Sequence, residues 1–370
     1  MKRCRVEVQL SVLARNIHAL QEVLNPATEI IFVVKSNAYG HGLSAVVVEA
    51  AAQGVRWFAV AYLHEALEVR KHVSDVGILV LGAIDAEDVA VALRERITPV
   101  VMSFRQGQML AAAARASGIV LPVHVKIDTG MGRLGLCGAD LALQLETLVN
   151  EPGLRVDGIC SHFATVEQRH PELARTQYER FMEAVTIAEA ACGRRLMRHL
   201  SSSRAIQFHE EWDLDAIRPG ILLYGYGSSE LGMRIRTRPW LTWKAYLMQV
   251  KTVPAGVPVG YYSSYRTTRS TDIATMSVGY ADGFLRSLSN NGFVLVKGIR
   301  RPVVGRISMN WVTLDLGPDS GILEGEEVVI IGRQGDDELW ADEIATWAGT
   351  IAYETLTAIS QDIPRGYIQG

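Results

Sequence analysis

Ile30-Ile31-Phe32-Val33-Val34-Lys35-Ser36-Asn37-Ala38-Tyr39-Gly40-His41-Gly42 is the stretch on which the reading of this chain turns. It opens with five apolar residues, four of them β-branched, a pattern that predicts a strand buried on both faces. A lysine closes the strand. A polar, glycine-bearing turn follows, and then an apolar run of helical pattern. A lysine in that place is either surface punctuation or a reactive amine held over a pocket. Taken alone, the first is the ordinary case, because most lysines are solvated.

The chain has 370 residues, 48% hydrophobic and 21% charged, with a formal net charge of −3. That length suggests two domains or one large barrel with an appendage, and the composition can fill a core. The near-neutral charge gives no reason to expect a nucleic acid or an anionic membrane as partner. The first residues alternate polar and apolar like a strand and lack the continuous apolar core of a signal peptide. No window reaches the apolar length of a membrane span. Cys4, Cys137, Cys160 and Cys192 are scattered, with no CxxC pair, as expected of reduced thiols in a cytoplasmic protein.

Outward from the opening stretch, Ser11 suits the cap of a helix running to about residue 24. After 30–34, short apolar runs at 57–60, 78–81, 98–102, 123–127, 156–160, 197–200 and 216–218 alternate with helical patterns at 43–53, 63–72, 86–94, 105–115, 140–149, 173–192 and 203–209. Eight short runs, each followed by a helix or a loop, predict parallel strands and an α/β fold, a TIM-type (β/α)8 barrel, over residues 1–230. A doubly wound open sheet is the alternative, and no GxGxxG or Walker-type loop follows any strand to favour it. Past residue 229 helical periodicity fades. Strand patterns at 243–250, 273–277, 293–296, 303–304, 311–316 and 328–331, separated by turn residues, predict a mostly β domain over 231–370, with a helical tail at 341–358.

In such a barrel, functional groups project from the C-terminal ends of the strands. Those ends deliver Lys35 with Tyr39, Lys126 leading into Asp128-Thr129-Gly130-Met131-Gly132-Arg133, Ser161-His162-Phe163-Ala164, Ser201-Ser202-Ser203, and Arg218-Pro219-Gly220-Ile221. The expected mouth is rich in cations and hydroxyls. It is poor in carboxylates, which disfavours a divalent metal. The inventory suits a phosphorylated cofactor with a reactive carbonyl: a lysine can form a Schiff base with it, while Ser203 and the backbone of Gly220 and Ile221 hold its phosphate. Pyridoxal 5'-phosphate is the cofactor so indicated.

The stretch from Val33 to Gly42 resembles the cofactor-lysine signature of alanine racemases. Similar segments follow in the family's order: Lys126 to Gly135, Ser161 to Ala164, Arg218 to Gly225, Val259-Gly260-Tyr261-Tyr262-Ser263-Ser264-Tyr265, Gly279-Tyr280-Ala281-Asp282-Gly283, Val304 to Met309 and Ala352-Tyr353-Glu354. The resemblance covers essentially the whole chain. It implies a pyridoxal-phosphate-dependent racemase of L- and D-alanine.

The resemblance also implies roles. Lys35 carries the cofactor and, with Tyr265, forms the acid/base pair. Racemisation needs a proton removed from one face of Cα and another returned to the opposite face. Both side chains titrate at about 10 in isolation, and positive charge from Arg133 and Arg218 is expected to favour a neutral lysine and an ionised tyrosine. Arg218 faces the cofactor's ring nitrogen, which it can only address as a donor. His162 lies by the ring. Tyr39, Ser203, Tyr353 and the backbone of Gly220 and Ile221 hold the phosphate. Arg133 lies near the cofactor's phenolic oxygen and, with the Met309 backbone, faces the substrate carboxylate, and Lys126 is carbamylated in many members. The family's tyrosine and methionine reach across from a partner subunit, so a homodimer with shared sites is expected.

Several positions depart from the family's usual residues: Ser36 for alanine, Asn310 for aspartate, Ser202 for asparagine, Val166-Glu167 for a small residue and aspartate, and Asp362 for arginine. Tyr280, Arg286 and Arg306, also at the substrate entrance in the family, match. These departures leave a serine or broader-specificity racemase as an alternative to alanine. A non-catalytic pyridoxal-phosphate carrier on the same barrel is a further reading, although such carriers lack the C-terminal domain. A two-domain decarboxylase needs a late cysteine, and none lies beyond Cys192.

Overall fold

The computed structural model describes residues 4–166, 171–227 and 233–369. Glu167 and the border expected at 230 lie outside them. The described residues form two compact units, one from 14–38 and 43–237, the other from 4–13, 39–42 and 238–369. In chain order the strands begin with β1 (Cys4–Gln9), then β2 (Glu29–Val33), β3 (Trp57–Val60), β4 (Gly77–Val80), β5 (Ile97–Val101), β6 (Leu121–Lys126), β7 (Leu154–Cys160), β8 (Met197–Ser202), β9 (Ala216–Arg218) and β10 (Leu241–Val253).

β2 to β9 are parallel neighbours in sequence order and close into a barrel, as the eight apolar runs led us to expect. Phe32 pairs in register with Phe58 and Phe58 with Ile78, and Ile30 pairs with Ile217 where the barrel shuts. Phe32, Phe58 and Ile78 are fully buried. Filling the barrel with such side chains contributes roughly 2–3 kcal/mol apiece and leaves the strand ends as the place for polar groups.

The second unit is a sheet built around β10, which pairs antiparallel with β1, with Thr271–Met276 and with Glu327–Gln334. β1 therefore belongs with the C-terminal strands rather than with the barrel that the boundary at 230 assigned it to. Its alternation explains why: Val6 and Val8 are fully buried, while β1 pairs with β10 on one edge and parallel with Arg365–Ile368 on the other. Three local expectations shift as well. The first helix begins at Leu10, directly off β1, so Ser11 lies inside it and does not cap it. The strand expected at 303–304 is Ile299–Pro302. The helical tail is two helices, Ala341–Ala348 and Ala352–Thr357, parted by Gly349, which closes the first at φ 72.

Candidate active site

Lys35 follows the end of β2 and is half-buried. The turn after it winds left-handed, with Ser36 at φ 54, Asn37 at φ 55, Ala38 at φ 52 and Tyr39 at φ 51. That conformation costs roughly 1–2 kcal/mol for each non-glycine residue, so the surroundings must impose it. Glu65 does much of this. Its buried carboxylate accepts the Ser36 N–H at 2.6 Å, the Ala61 N–H at 2.8 Å and the Tyr62 N–H at 3.2 Å. The Asn37 side chain accepts the Leu43 N–H at 2.8 Å and closes the turn from the other end. Sequence reasoning missed Glu65, since nothing local sets it apart from a helix-surface glutamate. Glu65→Ala should leave three backbone donors unpaired and lower unfolding stability by about 2–4 kcal/mol. Chemical denaturation reads this directly, and an unchanged midpoint would show that the turn holds itself.

The other barrel residues gather at the same strand ends. Lys126 closes β6. Asp128 Oδ1 accepts the N–H groups of Gly130, Met131 and Gly132 at 2.9–3.0 Å, shaping the loop that presents Arg133. His162 follows β7, Ser203 follows β8, and Arg218 ends β9. Ser203 Oγ accepts the N–H of Gly220 at 2.9 Å and of Leu222 at 3.2 Å. These groups feel one another. Burial, and then the charge of Arg133, lower the pKa of Lys35 below the ordinary lysine value, with Glu65 opposing. Burial is also the main cause lowering Lys126, which Arg218 and Arg133 reinforce. Burial, then Arg218, Lys126, Arg133 and Lys35, push His162 down to about 3, so it is uncharged at neutral pH.

In the second unit, the Tyr265 hydroxyl donates to Asp315 Oδ2 at 2.9 Å. Burial and that bond raise its pKa above the ordinary tyrosine value. The accepted hydrogen bond favours the protonated phenol, the opposite direction to the ionised tyrosine expected from the charges of Arg133 and Arg218. Tyr39 and Tyr353 stand together, ring centroids 5.9 Å apart, and burial and the neighbouring ring keep the Tyr39 phenol protonated. The segment of Met309 is fixed by its neighbours. Ala281 N–H donates to the Met309 carbonyl at 2.9 Å and Tyr280 N–H to that of Ser308 at 3.1 Å. A Cβ on Gly279 would come within 2.2 Å of the Met309 carbonyl oxygen, so the two segments touch only because Gly279 has none. The departures Ser36 and Asp362 are exposed, and Asn310 is half-buried.

None of Lys35, Lys126, Arg133 and Arg218 has an ion-pair partner among the described residues. Arg218 is only 5% exposed. A buried cation without a counter-charge is costly, so this mouth is suited to an anion. The Ile221 N–H, beside the Ser203 hydroxyl, also has no hydrogen-bond acceptor among the described residues. The donor set fits a phosphorylated ligand, and a lysine of lowered pKa fits the reactive carbonyl of pyridoxal phosphate. Among the described residues no group of three or more His, Cys, Asp or Glu side chains is placed to hold a metal ion, and no helix is long and apolar enough to cross a membrane.

The class defined by this fold and mouth is a barrel enzyme that uses a lysine and an anionic carbonyl cofactor. Residues 8–228 match the alanine racemase N-terminal domain and residues 240–367 the alanine racemase C-terminal domain. The chain is 38% identical to an alanine racemase of Syntrophobacter fumaroxidans, over 99% of this chain and 97% of that one. Among solved structures it is similar to alanine racemase from Bacillus anthracis with bound L-Ala-P, with a TM-score of 0.92 and 32% identity over 100% of this chain and 96% of that one. It is also similar to alanine racemase from Bartonella henselae with covalently bound pyridoxal phosphate, with a TM-score of 0.89 and 27% identity over the full length of both chains. The chain belongs to the alanine racemase family.

Proposed function

We infer that this chain is a pyridoxal-phosphate-dependent racemase that interconverts L- and D-alanine by two-base proton transfer at Cα. The observation that carries the reading is Lys35: a half-buried amine of lowered pKa at a strand end, among cations that lack counter-charges. Bound there, pyridoxal phosphate supplies the electron sink that makes an amino-acid Cα proton removable. Ser203, the backbone of Gly220 and Ile221, and the hydroxyls of Tyr39 and Tyr353 hold its phosphate. Arg218 donates toward its ring, and His162 lies beside it as an uncharged partner. Arg133 and the Met309 backbone orient the substrate carboxylate. Lys35 Nζ exchanges a proton on one face of Cα and Tyr265 Oη on the other. The opposite shifts of the two groups favour a neutral lysine and a protonated tyrosine, one base and one acid.

The test is L-alanine incubated with the holoenzyme and followed on a chiral column, beside L-serine and L-lysine. The two alanine enantiomers have equal free energy, so the mixture should reach equal amounts. Faster conversion of serine would move the substrate assignment, and no racemisation of any of the three would overturn the enzyme assignment.

Three finer readings belong here. Lys126 is carbamylated, because its lowered pKa favours the neutral amine that takes up CO2, and the resulting anion would steady Arg133. Isotope-labelled bicarbonate should give a carbamate carbon signal that acid discharges; a free ammonium counts against it. The chain acts as a homodimer. Tyr261, Tyr262, Tyr280, Met309 and Trp311 are 64%, 91%, 43%, 56% and 46% exposed on adjoining loops, an apolar surface of the kind a partner covers. The protein works in the cytoplasm, where its scattered cysteines stay reduced, and supplies D-alanine for cell-wall biosynthesis.

A further inference from the structure

Behind the mouth, Arg218 leads into buried side chains to which the roles above give no task. His199 is 0% exposed and His124 1%. Arg218 Nη1 lies 2.7 Å from His199 Nδ1, and His199 Nε2 lies 2.7 Å from His124 Nδ1. A guanidinium can only donate. His199 Nδ1 is therefore the acceptor, and a neutral ring then carries its proton on Nε2. That N–H points at His124 Nδ1, which must accept in turn, so His124 is protonated at Nε2 as well. Burial keeps both rings neutral: it drives His199 well below the ordinary histidine value, helped by Arg218, and His124 down to about 4. Strand β7 makes room for this chain at Gly158, where a Cβ would come within 2.6 Å of the His124 ring.

The remaining Arg218 donors are accounted for. Nη1 also donates to the His199 carbonyl at 2.6 Å, while Nη2 donates to the carbonyls of Ser161 and of Leu200. Of the five N–H groups of a guanidinium, only that at Nε has no partner among the described residues.

We propose that His199, backed by His124, is a positioning residue that locks the Arg218 guanidinium so that its Nε–H is the one donor left for the cofactor. This rests on the reading that Arg218 addresses the cofactor ring. With the opposite tautomer, His199 Nδ1–H would face an Arg218 N–H, two donors head to head, and the guanidinium would turn away.

Side-chain 15N NMR of the full chain labelled at histidine, with and without cofactor, should show both buried rings protonated at Nε2 and a scalar coupling across the N–H···N bond. His124→Leu should abolish that coupling. His199→Leu should lower kcat about tenfold to a hundredfold, leave KM for alanine within about twofold, and shift the absorbance of the bound cofactor. His199→Asn, whose amide oxygen can still accept from Arg218, should recover most of kcat. Either ring protonated at Nδ1, an absent coupling, or a His199→Leu enzyme with unaltered kcat and absorbance would overturn the proposal. Failure of the unaltered enzyme to racemise any amino acid would instead overturn the functional reading, and the NMR result would still decide the tautomers.

Discussion

A Lys35→Ala chain is expected to lose alanine racemisation by at least ~10³-fold in kcat/KM, since general acid–base transfer alone contributes roughly 10²–10⁴ and the same amine anchors the cofactor. Lys35→Arg should be as inactive. A guanidinium keeps the charge but cannot give up its proton, so charge without titration is of no use on that face. Neither change should destabilise the fold. Lys35 has no ion-pair partner among the described residues, and both burial and Arg133 disfavour its charged form. Removing it relieves a like-charge neighbour, and thermal unfolding should stay level or rise slightly for Lys35→Ala. Loss of activity with an intact melting curve therefore isolates the chemistry. A variant that kept a tenth of kcat/KM would remove Lys35 from the proton transfer. The pH profile of the unaltered enzyme carries the same sign. Rate should climb as pH passes the lowered pKa of Lys35, because the neutral amine is the base. With Tyr265 as the proposed acid, it should then hold level until the phenol ionises, above the ordinary tyrosine value of about 10, in the direction that burial and Asp315 set.

Much of this was open to a reader of the sequence, and what was hidden has a common physical cause. The barrel strands are short, mostly apolar runs alternating with helical patterns, a local signal, and the closed order β2 to β9 agrees with it. The partner of β1 was not local. Its alternation marks a strand, but only contacts with residues more than two hundred positions away place it against β10 and Arg365–Ile368. The turn at Ser36–Tyr39 is four non-glycine residues in the left-handed region, which intrinsic preferences oppose. It exists because Glu65, on a later helix, supplies acceptors. Tyr265 was legible as a residue, but its preference for the protonated form was not, because Asp315, fifty positions on, accepts a hydrogen bond from its hydroxyl. His124 and His199 looked like ordinary core histidines one by one. Only the 2.7 Å contacts that chain them to Arg218 give them a joint role.

Mixing a Lys35→Ala chain with a Tyr265→Ala chain, under conditions that exchange subunits, is expected to restore up to about a quarter of the unaltered activity. With the chain acting as the proposed homodimer, each parent dimer lacks one proton-transfer group at both sites and should be inactive. Random reassortment makes about half of all dimers mixed. If each site takes its lysine from one subunit and its tyrosine from the other, a mixed dimer holds one site with both groups and one with neither, hence about a quarter of the normal sites. If Tyr265 acted within its own chain, every site would still lack one group and mixing would restore nothing. The two outcomes differ by the whole signal, so a fold defect in either variant cannot imitate recovery. The exposed loops of Tyr261, Tyr262, Tyr280, Met309 and Trp311 are the surface this arrangement requires. Recovered activity should fall on dilution as mixed dimers separate. No recovery, with mixed dimers verified by mass, would place both proton-transfer groups in a single chain and leave the aromatic loops without the catalytic reason given for them here.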